Sequence, residues 1–199
     1  MKPINKAIFN SVKIFVVASL ITLSSNAFSA SLSSIIDDFN NVKDNNLGIA
    51  RVLITDTTAG GQTTTELDVS NGVMQIKGEI VPPRGQPGWS SLTLPLGPMG
   101  ENQNASKFDG IRLLIKVNNG NVSLSANSSE ITNYDYHSAQ VIVTSDGKFH
   151  EVKIPFESMR RIWSEQIKLN TQTLNSLSIV AFSPQKSTFE FEVDEVSFY

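Results

Sequence analysis

The chain has 199 residues, no cysteine and a formal net charge of −3. The missing cysteine excludes disulfides, thiolate metal sites and cysteine nucleophiles together. An acidic balance without a basic stripe argues against nucleic acid or an anionic membrane surface as a partner.

Lys2, Lys6 and Lys13 precede an apolar run from Ile14 to Val17 and on through Leu23, the layout of a secretory signal peptide. Small residues at Ser25 and Ala27 fit a cleavage site after Ala27. The run holds only about ten apolar residues where a membrane span needs roughly twenty. The reading is therefore a leader over 1–27, an N-terminal extension over 28–36 and one domain over 37–199, exported to the periplasm or secreted. A domain of that length can bury enough surface to fold without staples.

Beyond the leader, two stretches rich in Gly, Pro, Thr and Asn read as long irregular segments, Thr55 to Thr65 and Val81 to Gln103. Period-two alternation recurs from Val73 to the end of the chain. Leu92, Leu94 and Leu96 show it, as do Ile111, Leu113, Ile115 and Val117 set against Arg112, Leu114 and Lys116. So do Val122, Leu124 and Ala126, then Val152 and Ile154, then Leu177, Ile179 and Ala181. Such strands bury one face. Asn71-Gly72, Asn118-Asn119-Gly120 and Asp146-Gly147 supply turn residues between them. Helical spacing occurs once, where Met159, Ile162, Trp163 and Ile167 follow Pro155, and it places Trp163 on an apolar, core-facing side. In the last strand Phe189, Phe191 and Val193 share a phase that Val196 and Phe198 do not, which predicts a β-bulge at Asp194 or Glu195. Many short strands and tight turns make the fold class all-β, an antiparallel two-sheet sandwich with one short helix.

Several residue groups resemble, in order, those of the complex I intermediate-associated protein 30 family. These are Gly60-Gly61-Gln62-Thr63, Met74-Gln75-Ile76-Lys77-Gly78, Pro87-Gly88-Trp89-Ser90-Ser91 and Phe108-Asp109-Gly110-Ile111 in the first half. Val152-Lys153-Ile154-Pro155-Phe156 and Phe189 through Val196 follow. The resemblance runs from about Asp38 to Tyr199 and implies a galactose-binding-like jelly-roll sandwich, related in shape to family-11 carbohydrate-binding modules, with a binding or assembly habit rather than catalysis. It also implies a structural calcium, which Asp38 and Asp194 would share if the first and last strands are neighbours. A solvated acidic edge explains the same two residues without a metal. No other cofactor is implied.

Catalysis finds little support. His137 and His150 are the only histidines, and neither sits in a motif that pairs a base with an orienting partner. His150 reads as a surface residue. His137 follows Tyr134, Asp135 and Tyr136; on a strand the two tyrosines would share one face and Asp135 with His137 the other. The enzyme alternative requires Asp135, His137 and a hydroxyl residue to converge. Gly60-Gly61 lacks the lysine and helix of a phosphate cradle. Trp89, at a Pro-Gly loop, can stack on a sugar ring or pack on the sandwich. Candidate ligand-binding residues are thus Trp89, Tyr134, Tyr136 and His137. The expected partner is a carbohydrate or other cell-envelope ligand, or a partner protein held by the same loops.

Overall fold

The alternation is realised as two antiparallel sheets in a computed structural model that describes residues 32–199. The leader read over 1–27 and the start of the extension read over 28–36 lie outside the described residues. One sheet holds β1 (Ile35–Asp37), β3 (Thr64–Ser70), β4 (Val73–Ile80), β6 (Gly110–Asn119), β9 (His150–Pro155) and β11 (Ser187–Phe198). Its order is β3-β4-β11-β6-β9, and β1 pairs with the far end of β11. The other sheet holds β2 (Val52–Thr55), β5 (Gly88–Pro95), β7 (Asn121–Ser128), β8 (His137–Val141) and β10 (Leu174–Ser183), in the order β2-β5-β10-β7-β8. Among the described residues no helix is long and apolar enough to cross a membrane.

Both sheets turn their apolar phase into one shared core. Ile111, Leu113, Ile115 and Phe191 from the six-stranded sheet meet Leu92, Leu94, Leu124, Leu177 and Ile179 from the five-stranded one, all fully buried. Burying side chains of this size stabilises by roughly 1.5–3 kcal/mol each. Thr65 of β3 also donates to Ser90 of β5 across the layers at 2.8 Å. Leu32 and Ile36, within the expected extension, are buried core residues as well.

Two local features follow directly from residue type. Ser70 pairs with Val73, and the intervening Asn71 and Gly72 have φ of 53° and 75°, the double positive φ that a two-residue hairpin turn of matching twist requires. In β11 the register shifts between Val193, opposite Ile115, and Glu195, opposite Leu114. Asp194 is therefore the extra residue of the expected bulge, and it returns Val196 and Phe198 to the core. Phe198 there stacks on Phe108 with ring centroids 5.0 Å apart.

Three expectations need correction. The stretch Val81 to Gln103 is not one irregular segment, because β5 runs through its middle between β2 and β10. Helical spacing from Met159 to Ile167 does not give a helix there. A single 3₁₀ turn, Phe156–Ser158, follows Pro155, and a second 3₁₀ turn spans Asp56–Ala59. Beyond Met159 the main-chain N–H groups of Ile162, Trp163 and Ser164 bond to the Asp135 carboxylate instead of to carbonyls one turn back. Trp163 accordingly faces solvent and is not a core residue.

Candidate binding face

The two outer faces of the sandwich differ in chemistry. On the six-stranded sheet the outward phase is charged and paired: Arg112 with Glu151 and Glu195, Lys116 with Glu192, Lys77 with Glu66. That pattern belongs to a solvated surface. On the five-stranded sheet, outward positions follow from the register. One row reads Val52, Thr93, Ser178, Ser125, Ser138, and the next Ile54, Ser91, Val180, Ser123, Gln140. A further row holds Trp89, Phe182 and Asn121, and at the opposite end lie Pro95, Ser176 and Asn127. None of these side chains is ionisable.

Within this face the small polar groups are already networked. Thr93 and Ser178 share a hydroxyl–hydroxyl bond of 3.0 Å. Asn127 Nδ2 donates to Ser176 at 3.0 Å and to Ser178 at 2.8 Å. Asn127 Oδ1 is buried without a partner among the described residues.

Each candidate from the sequence has a definite place. Trp89 is the second residue of β5, half-buried beside Phe182 on the outer face rather than at a loop tip. Tyr136 immediately precedes β8, in phase with Ser138, and burial pushes its phenol pKa up. Tyr134 is exposed, with its ring edge-on to Tyr136 at 6.4 Å. His137 points the other way, into the sandwich, where Nε2 lies 2.7 Å from the Ile167 carbonyl and Nδ1 has no partner among the described residues. Asp135 is also buried, but its carboxylate accepts three main-chain N–H groups and makes no bond to His137. His150 sits at the surface against Asp146 at 2.8 Å.

The acidic residues near the termini are also placed. First and last strands are neighbours, Ile35 opposing Ser197. Buried Asp37 forms a two-pronged pair with Arg51 at 2.6 and 2.7 Å. Asp38 accepts the Asn40 N–H at 3.1 Å, and Asp194 occupies the bulge. Among the described residues no three His, Cys, Asp or Glu side chains gather as a metal site. A calcium at Asp38 and Asp194 would have to take its remaining ligands from carbonyls and water.

Sequence reasoning missed one buried anchor. The Asp56 carboxylate accepts from Thr63 N–H at 3.1 Å, Thr63 hydroxyl at 2.7 Å and Trp89 N–H at 3.1 Å. A Cβ on Gly61 would stand 2.3 Å from Asp56 Cγ, and one on Gly88 would stand 2.7 Å from Asp56 Oδ2, so both positions exclude any side chain. The Gly-Gly-Gln-Thr and Pro-Gly-Trp motifs thus form a single cage around Asp56.

The profile of the complex I intermediate-associated protein 30 family matches residues 40–193. The chain belongs to that family. No curated protein sequence matches it significantly. Among solved structures, a family-11 carbohydrate-binding module of a cellulosomal cellulase of Clostridium thermocellum aligns over 85% of this chain and 95% of its own, with TM-score 0.59 and 19% identity. The Clostridium thermocellum family-11 module in complex with a β-1,3-1,4-mixed-linked tetrasaccharide aligns over 85% and 96%, with TM-score 0.57 and 20% identity. An agarase aligns with TM-score 0.54 and 7% identity over 83% of this chain but only 26% of the agarase. At these identities the shared property is the sandwich fold. This member of the complex I intermediate-associated protein 30 family therefore has the fold that its motifs imply.

Proposed function

We propose that this protein is an exported binding module without chemistry of its own, and that the outer face of its five-stranded sheet holds a neutral, hydroxyl-rich chain such as an oligosaccharide. The observation that carries this reading is the absence of ionisable side chains in the rows of that face from β2 to β8, bordered by Arg160 where it bridges Ser138, set against the ion-paired opposite face. Serine, threonine and asparagine side chains both donate and accept, which suits a ligand made of hydroxyls. Trp89 and Phe182 at one end and Tyr136 near the other supply rings on which the apolar faces of sugars can pack. The fold is shared with a module solved in complex with a mixed-linked tetrasaccharide. Asp135 and His137 are each committed to main-chain partners, which leaves them poorly placed to act as an acid–base pair.

The chain contains two tryptophans, Trp89 and Trp163, so intrinsic fluorescence reports from the proposed face and from the loop beyond β8. Titration with neutral oligosaccharides should shift or quench that emission in a saturable way. A flat response to every neutral oligosaccharide at millimolar concentration would remove the reading.

A partner-protein reading rests on one different feature. Edge strand β2 exposes Val52, Leu53 and Ile54, an apolar edge without the charges that usually protect one. A partner's extended segment could pair there, and crosslinking from position 53 in the periplasm distinguishes it from glycan binding.

A further inference from the structure

The segment after Met159 carries a second observation. Arg160 exchanges two main-chain hydrogen bonds with Ser138, both 2.9 Å, and so adds one bridge to the β8 edge of the five-stranded sheet. The chain then turns, and that turn is held at many points. Asp135 accepts Ile162 N–H at 2.8 Å, Trp163 N–H at 3.1 Å and Ser164 N–H at 2.6 Å. Asn133 donates to the Ser164 hydroxyl at 3.0 Å, and Arg161 donates to Asn133 Oδ1 at 3.1 Å. Gln166 closes the loop on the Arg161 carbonyl at 2.7 Å.

So ordered a turn would bury its apolar side chains if its role were packing. Instead Trp163 is 67% exposed and Tyr134 79% exposed. Tyr134 is held at φ 62°, a conformation that costs a bulky residue free energy and persists only where its surroundings impose it. Its ring contacts Tyr136, next to the uncharged face. Aromatic rings held out in solvent on a pinned backbone, beside the uncharged strand rows and next to Arg160 and Arg161, are a contact zone suited to a flat, partly apolar ligand.

We propose that Tyr134 and Trp163 form a stacking platform that continues the binding face past β8 and receives a terminal sugar ring of the neutral oligosaccharide, with Asp135 as its positioning residue. The proposal rests on the reading of the face given above. From β5, which carries Trp89, to the Arg160 bridge is four strand-to-strand steps, ~19 Å at the usual spacing. A ligand that touches both tryptophans is therefore several rings long, and a disaccharide reaches one zone only.

Calorimetry with neutral gluco-, xylo- and agaro-oligosaccharides from two to six units provides the test, on the full mature chain. In the wild type, affinity for the binding series rises with length. Trp163→Ala and Tyr134→Ala, both at exposed positions and expected to leave thermal stability unchanged, should each lose roughly three- to ten-fold on the hexasaccharide and nothing on the disaccharide. Asp135→Asn should show the same length-selective loss with both rings still present. If the wild type binds and the two alanine variants bind the hexasaccharide equally well, the platform is refuted while the face survives. If the wild type binds none of the three series, both are refuted.

Discussion

The Asp56 carboxylate accepts the main-chain N–H of Trp89 at 3.1 Å, and Asp135 accepts that of Trp163 at the same distance. Both aspartates are buried, and each ties a distant loop to a tryptophan. Asp56 serves the strand that enters the uncharged face, Asp135 the turn that extends beyond it.

Removing the first anchor should cost stability. Asp56→Ala strands three donors in the interior, at a penalty on the order of 3 kcal/mol or more. Gly61→Ala should approach that loss, since its Cβ cannot coexist with the carboxylate. Urea unfolding of the mature chain measures both. A midpoint unchanged from wild type in either variant contradicts the cage described here.

The Asp37–Arg51 pair gives a second stability test. Arg51→Met leaves Asp37 buried without its cation, and removing one partner of such a pair costs about 3–5 kcal/mol. Arg51 also lies over the Phe39 ring at 5.0 Å, so Arg51→Lys should recover only part of the loss because it cannot bond in two prongs.

Acid should loosen the Asp135 turn. Burial pushes the Asp135 carboxyl up, but hydrogen bonds from Ser164 and from the N–H groups of Ile162 and Trp163 outweigh it and hold the pKa below its ordinary 3.8. A depressed folded-state pKa contributes stability that is fully present above the unfolded value and is lost as pH falls through the folded one. Trp163 emission should therefore be constant from pH 7 to about 5 and change below the ordinary carboxylate range. In Asp135→Asn that acid transition should disappear.

Most of the fold can be read from residues close in sequence. Ile111 to Val117 alternate cleanly because one face of β6 is core and the other is water, and the phase slip before Val196 marks its bulge without any tertiary information. β5 shows the same alternation at Leu92 and Leu94, but its bounds are hidden because Pro87 and Gly88 stand at its start and Pro95 at its end; Pro95 is tolerated because it closes the strand. Trp163 is illegible for a different reason. Its spacing with Met159 and Ile162 is helical, and what overrides it is an acceptor 28 residues away. The uncharged face leaves a trace in the alternate positions Ser123, Ser125, Asn127 and Ser176, Ser178, where β6 and β11 have Arg112, Lys116 and Glu192. That trace becomes a surface only once the register places those strands side by side.

A neutral face predicts a neutral binding reaction. Affinity should be insensitive to salt between 50 and 500 mM, because no exposed charge pair is being screened. Ser125→Glu, which puts a carboxylate among the hydroxyls at a partly exposed site, should abolish binding while leaving the fold intact. Glu66→Gln on the opposite sheet should change nothing.

The most direct measurement is an amide chemical-shift titration with the tightest neutral oligosaccharide found. Perturbations should concentrate on Ser91, Thr93, Ser125, Asn127, Ser178 and the Trp89 indole, on one face of one sheet. Shifts confined to the ion-paired face around Arg112 and Lys116, or to the β2 edge alone, would contradict the account.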